Sequence, residues 1–146
     1  MESLKKLLEG VKLEEGILRI TTRSPGRFAE EENWTLCINN KRVLYAKVFY
    51  GRKPYWKEWV ELFHIDPSFF GSKAEDTLYT ILSKDFGRLF VEYYEDSITM
   101  QQLRKALPPE QTRLGSLLLS KGYRYLKDWY FPEGWMEGGY KLQAER

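Results

Sequence analysis

The stretch from Ser72 to Phe86 constrains the fold more than any other. Ala74, Leu78, Ile81, Leu82 and Phe86 recur at three- and four-residue intervals and make one apolar stripe of a helix. Ser72-Lys73-Ala74-Glu75 reads as a capping box: the Ser72 hydroxyl accepts from the Glu75 amide, and the Glu75 carboxylate reaches back to the Ser72 amide. Gly87 closes the helix. The segments on either side, Glu58–Ile65 and Arg88–Tyr94, have the composition of strands. A strand, a helix and a strand at this spacing join parallel strands through a right-handed crossover. The chain is therefore expected to build a sheet with a parallel pair and a helix packed across it.

The other segments add antiparallel strands. Ile17 to Thr22 reads as a strand broken by Ser24-Pro25-Gly26, and Glu30-Glu31-Glu32 as a solvated acidic run. Asn33–Ile38 and Val43–Tyr50 are strands joined by Asn39-Asn40-Lys41-Arg42, where Asn-Asn suits a tight hairpin. Gly51 to Tyr55 is a loop. Ser97 to Leu107 is a short helix stopped by Pro108-Pro109. A second runs from Pro109 to about Lys121 and ends at Gly122. Tyr123–Phe131 and Met136–Gln143 are the last strands, linked through Pro132-Glu133-Gly134. A short amphipathic helix covers Met1 to Gly10, on Leu4, Leu7 and Leu8. The expected fold is α+β: one mixed sheet of six or seven strands with helices on both faces, in a single domain over 1–146.

Composition excludes several chemistries. The chain has 146 residues, 23 basic and 21 acidic, for a net charge of +2. That balance argues against a general polyanion partner such as nucleic acid. A single cysteine, Cys37, precludes an internal disulfide, and a single histidine, His64, argues against a metal site. No apolar run is long enough for a membrane span, and Met1 to Gly10 is too charged and too short for a signal peptide. A reducing cytoplasm is the expected setting.

Aromatic residues make up 16% of the chain and concentrate in Phe49 to Trp59, Phe86 to Tyr94 and Tyr123 to Trp135. They suit a sheet surface, or a platform on which a ligand stacks. Lys41, Arg42, Lys47, Arg52, Lys53 and Lys57 alternate with Tyr45, Phe49, Tyr50, Tyr55 and Trp56. That mixture fits a nucleic-acid track or a solvated strand edge kept from pairing by lysine. Cys37, between Leu36 and Ile38, reads as a small buried side chain. Gly134, Gly138 and Gly139 suit close approach to a ligand, or a turn and a bulge.

From Ile17 to Gln143 the order of elements resembles the GNAT fold of acyl-CoA N-acetyltransferases. The resemblance rests on the junction Leu62-Phe63-His64-Ile65-Asp66-Pro67-Ser68-Phe69-Phe70-Gly71-Ser72, where a strand runs through a loop into a helix. It rests also on Leu117-Leu118-Leu119-Ser120-Lys121-Gly122-Tyr123, which is similar to the family's helix ending in Gly-Phe. The closing run Lys127-Asp128-Trp129-Tyr130-Phe131-Pro132-Glu133-Gly134-Trp135-Met136-Glu137-Gly138-Gly139 looks like that of a small prokaryotic family known only as a domain of unknown function and grouped with acetyltransferase-like folds.

The resemblance implies acetyl-CoA or another acyl-CoA as cofactor, with its pyrophosphate against Phe70, Gly71, Ser72, Lys73 and Ala74. It implies a small-molecule or peptide amine as acceptor, and Glu61 or His64 as the base that takes the amine's proton. Glu92, on the neighbouring strand, would approach either. Strand alternation places Trp59, Glu61, Phe63 and Ile65 on one face and Val60, Leu62 and His64 on the other.

This chain departs from the family's loop pattern, Gln/Arg-x-x-Gly-x-Gly/Ala. Ser68 stands at the Gln/Arg position and Lys73 at the second small residue; Ala74 fits only after a one-residue slip. Leu118 occupies the place of the family's proton-donating tyrosine. Glu75 and Asp76 put two carboxylates where a pyrophosphate would lie. Two functional expectations follow: an N-acyltransferase with a degenerate cofactor loop, or a non-catalytic binding domain on the same fold that has lost the CoA site. The oligomeric state stays open, a homodimer included.

Overall fold

A computed structural model describes residues 12–13, 16–20, 24–25, 30–38, 40–50, 58–131 and 139–146. The helix expected over Met1 to Gly10, the loop Gly51 to Tyr55 and the Pro132-Glu133-Gly134 link lie outside the described residues. The strands are β1 (Lys12–Leu13), β2 (Gly16–Ile20), β3 (Ser24–Pro25), β4 (Glu30–Ile38), β5 (Lys41–Tyr50), β6 (Trp59–Phe63), β7 (Arg88–Glu92), β8 (Tyr125–Phe131) and β9 (Gly139–Glu145). The helices are α1 (Lys73–Asp85), α2 (Ser97–Arg104) and α3 (Arg113–Ser120). The architecture is α+β with one mixed sheet in the order β1-β2-β4-β5-β6-β7-β9-β8, and β3 pairs with β4 off that path. Setting aside the two-residue pieces β1 and β3, seven of the nine strands remain, in line with the six or seven expected.

The β-α-β unit forms as its spacing requires. β6 and β7 are parallel, with Val60 opposite Leu89 and Leu62 opposite Val91. The other pairings in the sheet are antiparallel. The stripe of α1 buries Ala74, Leu78 and Leu82, and Tyr79 joins them. These side chains share one cluster with Leu36, Leu44, Val48, Val60, Leu62, Leu89, Val91 and Leu142 of the sheet. Met100 of α2 and Leu114 and Leu118 of α3 belong to the same cluster, so the three described helices gather over one face of the sheet, where helices on both faces were expected. Burying each such side chain contributes roughly 1.5–3 kcal/mol.

Several boundaries shift for local reasons. β4 starts at Glu30, so the acidic run is part of a strand. Glu32 is fully buried and its carboxylate accepts from Trp34 Nε1 at 2.7 Å and from the Tyr50 hydroxyl at 3.1 Å. Alternation with Trp34 and Leu36 draws Glu32 inward, and the two donors offset its desolvation. The hairpin turn takes Asn40 at φ 62°, and Lys41 and Arg42 already pair in β5. α2 ends at Arg104 rather than Leu107, because Ala106 takes φ 64°. α3 starts only at Arg113: Pro109–Gln111 is a 3₁₀ turn, and Thr112 caps the helix by accepting from the Gly115 amide at 3.0 Å.

Candidate functional site

The carboxyl ends of β6 and β7 form an open cleft. β6 ends at Phe63, and His64 then takes φ 56°, a left-handed conformation uncommon for a residue with a side chain. That reversal overturns the expected alternation at the strand end. His64 is exposed and lies beside Phe63 and Tyr45, with ring centroids at 5.2 and 6.2 Å. Ile65 turns instead into the helix-side core. The next amide, Asp66 N–H, donates to Val43 O at 2.8 Å and holds the outgoing chain against β5.

Glu92, the last residue of β7, crosses to the displaced segment: its Oε2 accepts from the His64 amide at 3.3 Å. The two chain ends thus meet around a cleft of about 320 Å³ lined by Arg42, His64, Asp66, Glu92 and Glu95 among others. Asp66 is engaged on its own side. It accepts from the Ser68 hydroxyl and from the Ser68 amide at 3.0 Å, and pairs with Lys41 Nζ at 2.9 Å. Those contacts, the Ser68 hydroxyl first, lower its carboxyl from 3.8 to about 2. Glu92 and Glu95 are the other carboxylates lining the cleft, opposed by Arg42 and His64.

Glu61 lies elsewhere. It is 2% exposed and is not among the residues lining the cleft. Its Oε1 stands 3.3 Å from Lys141 Nζ, a lysine with no exposed surface. Lys141 Nζ also lies 5.7 Å from the centre of the Phe63 ring. Of the three residues expected to carry acid-base chemistry, the fold brings the Glu92 carboxylate to the backbone amide of His64 and sets Glu61 in a buried ion pair outside the cleft lining.

The start of α1 can be tested against a pyrophosphate. Gly71 takes φ 79° and Ser72 caps the helix, accepting from the Glu75 amide at 3.2 Å. The second half of the capping box differs from expectation. The Glu75 carboxylate accepts from the Gly71 amide at 3.0 Å, and the Ser72 amide donates to Phe69 O at 3.2 Å. The Ser68, Phe69, Phe70 and Asp76 amides also donate within the chain. Glu75 itself is 1% exposed and held by Arg113, which reaches Oε1 from Nη1 at 2.7 Å and Oε2 from Nη2 at 3.0 Å. An internal carboxylate thus takes the Gly71 amide and the guanidinium together. Of Phe70, Gly71, Ser72, Lys73 and Ala74, the first three have their amides engaged within the chain, and the Glu75 carboxylate at the helix start disfavours a CoA pyrophosphate there.

Leu118 is fully buried in the core. Tyr123 nearby is also fully buried and donates its hydroxyl to Phe86 O at 2.8 Å, and burial pushes its phenol up. Neither lines the cleft. Sequence reasoning missed Arg42, Asp66 and Glu95 as cleft residues, and Arg113 and Lys141 as partners of Glu75 and Glu61. Lys141 left a signal: a lysine between Tyr140 and Leu142, in a strand, on the face that carries Glu61. Among the described residues no group of His, Cys, Asp and Glu could hold a metal ion, and no helix is long and apolar enough to cross a membrane.

The profile of a family described as a protein of unknown function, DUF1122, matches residues 14–146. Among solved structures, the chain is similar to a protein of unknown function from Aquifex aeolicus, at 52% identity and a TM-score of 0.86. The likeness covers 100% of this chain and 80% of that one. No curated protein matches it.

Proposed function

The chain belongs to the DUF1122 family of proteins of unknown function, and from that premise we propose that it is a ligand-binding domain whose site is the cleft at the carboxyl ends of β6 and β7. Its ligand is a small polar molecule that carries an amine. The observation that carries this reading is the contact of Glu92 with the His64 amide, which frames the cleft at the mouth of the parallel pair. Ligands of sheets with helical crossovers settle outside the carboxyl ends of the strands. Glu92 and Glu95 suit an ammonium group, and Arg42 and His64 suit a carbonyl or carboxylate on the same molecule.

The resemblance to N-acetyltransferases supports the same place for an amine, with the exposed His64 ring beside it. The reading parts from that family at the acyl donor, because the start of α1 is filled by Glu75 and Arg113. The reading keeps an amine at the mouth of the parallel pair and assigns no CoA site.

The test follows the His64 ring by NMR while butylamine or glycinamide is added, with acetyl-CoA titrated separately by calorimetry. The expected result is a saturable His64 shift with an amine, weakened about tenfold by Glu92→Gln, and no heat from acetyl-CoA. Saturable acetyl-CoA binding would restore the acyltransferase reading. Amine titrations that leave His64 unmoved would remove the cleft as the site.

A further inference from the structure

A second cleft, of about 260 Å³, lies between α2 and the free end of the sheet. Met100 and Leu103 line it from α2, and Tyr93, Tyr130 and Tyr140 line it from the strand side. Tyr140 is the hub of an aromatic group: its ring centre is 6.0 Å from that of Tyr93, 6.1 Å from Tyr94 and 5.0 Å from Tyr130. Asp128, on the edge strand β8, adds the one carboxylate of the lining. Its Oδ1 accepts from the buried Tyr93 hydroxyl, its only hydrogen-bond partner among the described residues. Burial, and then Asp128 itself, raise the Tyr93 phenol, so the hydroxyl keeps its proton and remains a donor.

Two rings of this group face water. Tyr130 is 65% exposed and Tyr94 57%. Aromatic surface gathered at one exposed place, around a cleft with a carboxylate, has a specific electrostatic character. Ring faces carry negative charge density, and a cation against them is attracted by each ring and by the carboxylate. An anion would be repelled by Asp128, and a purely apolar ligand would desolvate that carboxylate without pairing it.

We infer that this cleft is a binding site for an alkylated ammonium group, held by the tyrosine rings and Asp128 against the apolar side formed by Met100 and Leu103. It is separate from the cleft at His64 and stands without it: the two share no lining residue. Arg104, exposed in the last turn of α2, is the one cationic side chain lining this cleft and opposes the ligand's charge from the rim.

The test compares choline with 3,3-dimethylbutan-1-ol, which has the same shape without the charge. Both are titrated into the whole chain and followed by amide NMR shifts of Tyr130 and Tyr140. Choline is expected to saturate, and the uncharged isostere to bind at least about tenfold more weakly. Asp128→Asn and Tyr130→Ala, both at exposed positions, should each weaken choline several-fold, and Arg104→Gln should strengthen it. Equal binding of the two isosteres, choline binding unmoved by Asp128→Asn, or no saturable choline binding would overturn the inference.

Discussion

Arg113 clasps Glu75 from 38 residues away in sequence, with its two terminal nitrogens 2.7 and 3.0 Å from the two carboxylate oxygens. The same guanidinium reaches Asp96 Oδ2 at 2.6 Å, so one side chain ties the starts of α1, α2 and α3 together. Both carboxylates are almost fully buried, at 2% side-chain exposure each. Removing the cation would leave two desolvated negative charges facing one another. Arg113→Met is expected to lose about 3 kcal/mol in urea unfolding, and Glu75→Gln less, because it keeps an acceptor for the Gly71 amide. A loss below about 0.5 kcal/mol in Arg113→Met would show that the clasp does not hold the helices.

The Lys141–Glu61 pair sets up a test of coupling. Neither side chain has appreciable exposure. Lys141→Met should destabilise by about 3 kcal/mol, because it removes the buried cation 3.3 Å from the Glu61 carboxylate. Adding Glu61→Gln should recover part of that loss, since it removes the negative charge that Lys141 balances. A double-mutant cycle is expected to give a coupling of at least about 1 kcal/mol. Strictly additive losses would mean that the two charges do not stabilise each other.

His64 carries backbone strain. A non-glycine residue at φ 56° costs roughly 1–2 kcal/mol relative to glycine. Glycine gives part of that back through the greater freedom of the unfolded chain. His64→Gly should therefore leave the urea midpoint at or slightly above that of the parent, while removing the ring from the cleft. In an ordinary extended strand the same change would lose about 0.5–1 kcal/mol. A loss of that size would contradict the left-handed turn.

Asp66 makes acid stability depend on a contact at the cleft. Its carboxyl sits at about 2 in the folded chain against an ordinary 3.8. A lowered folded value means that the unfolded chain binds the proton more readily. The contribution is therefore fully present above 3.8 and is lost as pH falls towards 2. A carboxyl NMR titration should give a midpoint near 2 for Asp66. Ser68→Ala should raise it most and Lys41→Met less, the order in which those groups act. A midpoint unchanged in both variants would detach Asp66 from these partners.

The regular elements were legible in the chain because their causes are local. The apolar stripe of α1, its Ser72 cap and the strand-helix-strand spacing depend on residues within a few positions of each other, and the structure has the helix and the parallel pair they imply. The junction after β6 was legible only in part. Strand alternation runs correctly to Phe63 and fails at His64, because one left-handed residue exchanges the faces that follow. The capping box was legible in its Ser72 half. Its Glu75 half was not, since that carboxylate is drawn to Arg113 of another helix.

What the sequence determined by itself is the helix α1, the longer strands among the described residues and the parallel pair, because periodicity and capping are short-range properties of the chain. What only the tertiary structure decided is which charges meet. β9 inserts between β7 and β8 and brings Lys141 to Glu61, while the packing of α3 beside α1 brings Arg113 to Glu75. Buried charges demand partners, but that demand names only the sign of the partner. The choice among the 23 basic residues was made by strand order and helix packing, which fix distances between positions far apart in the chain.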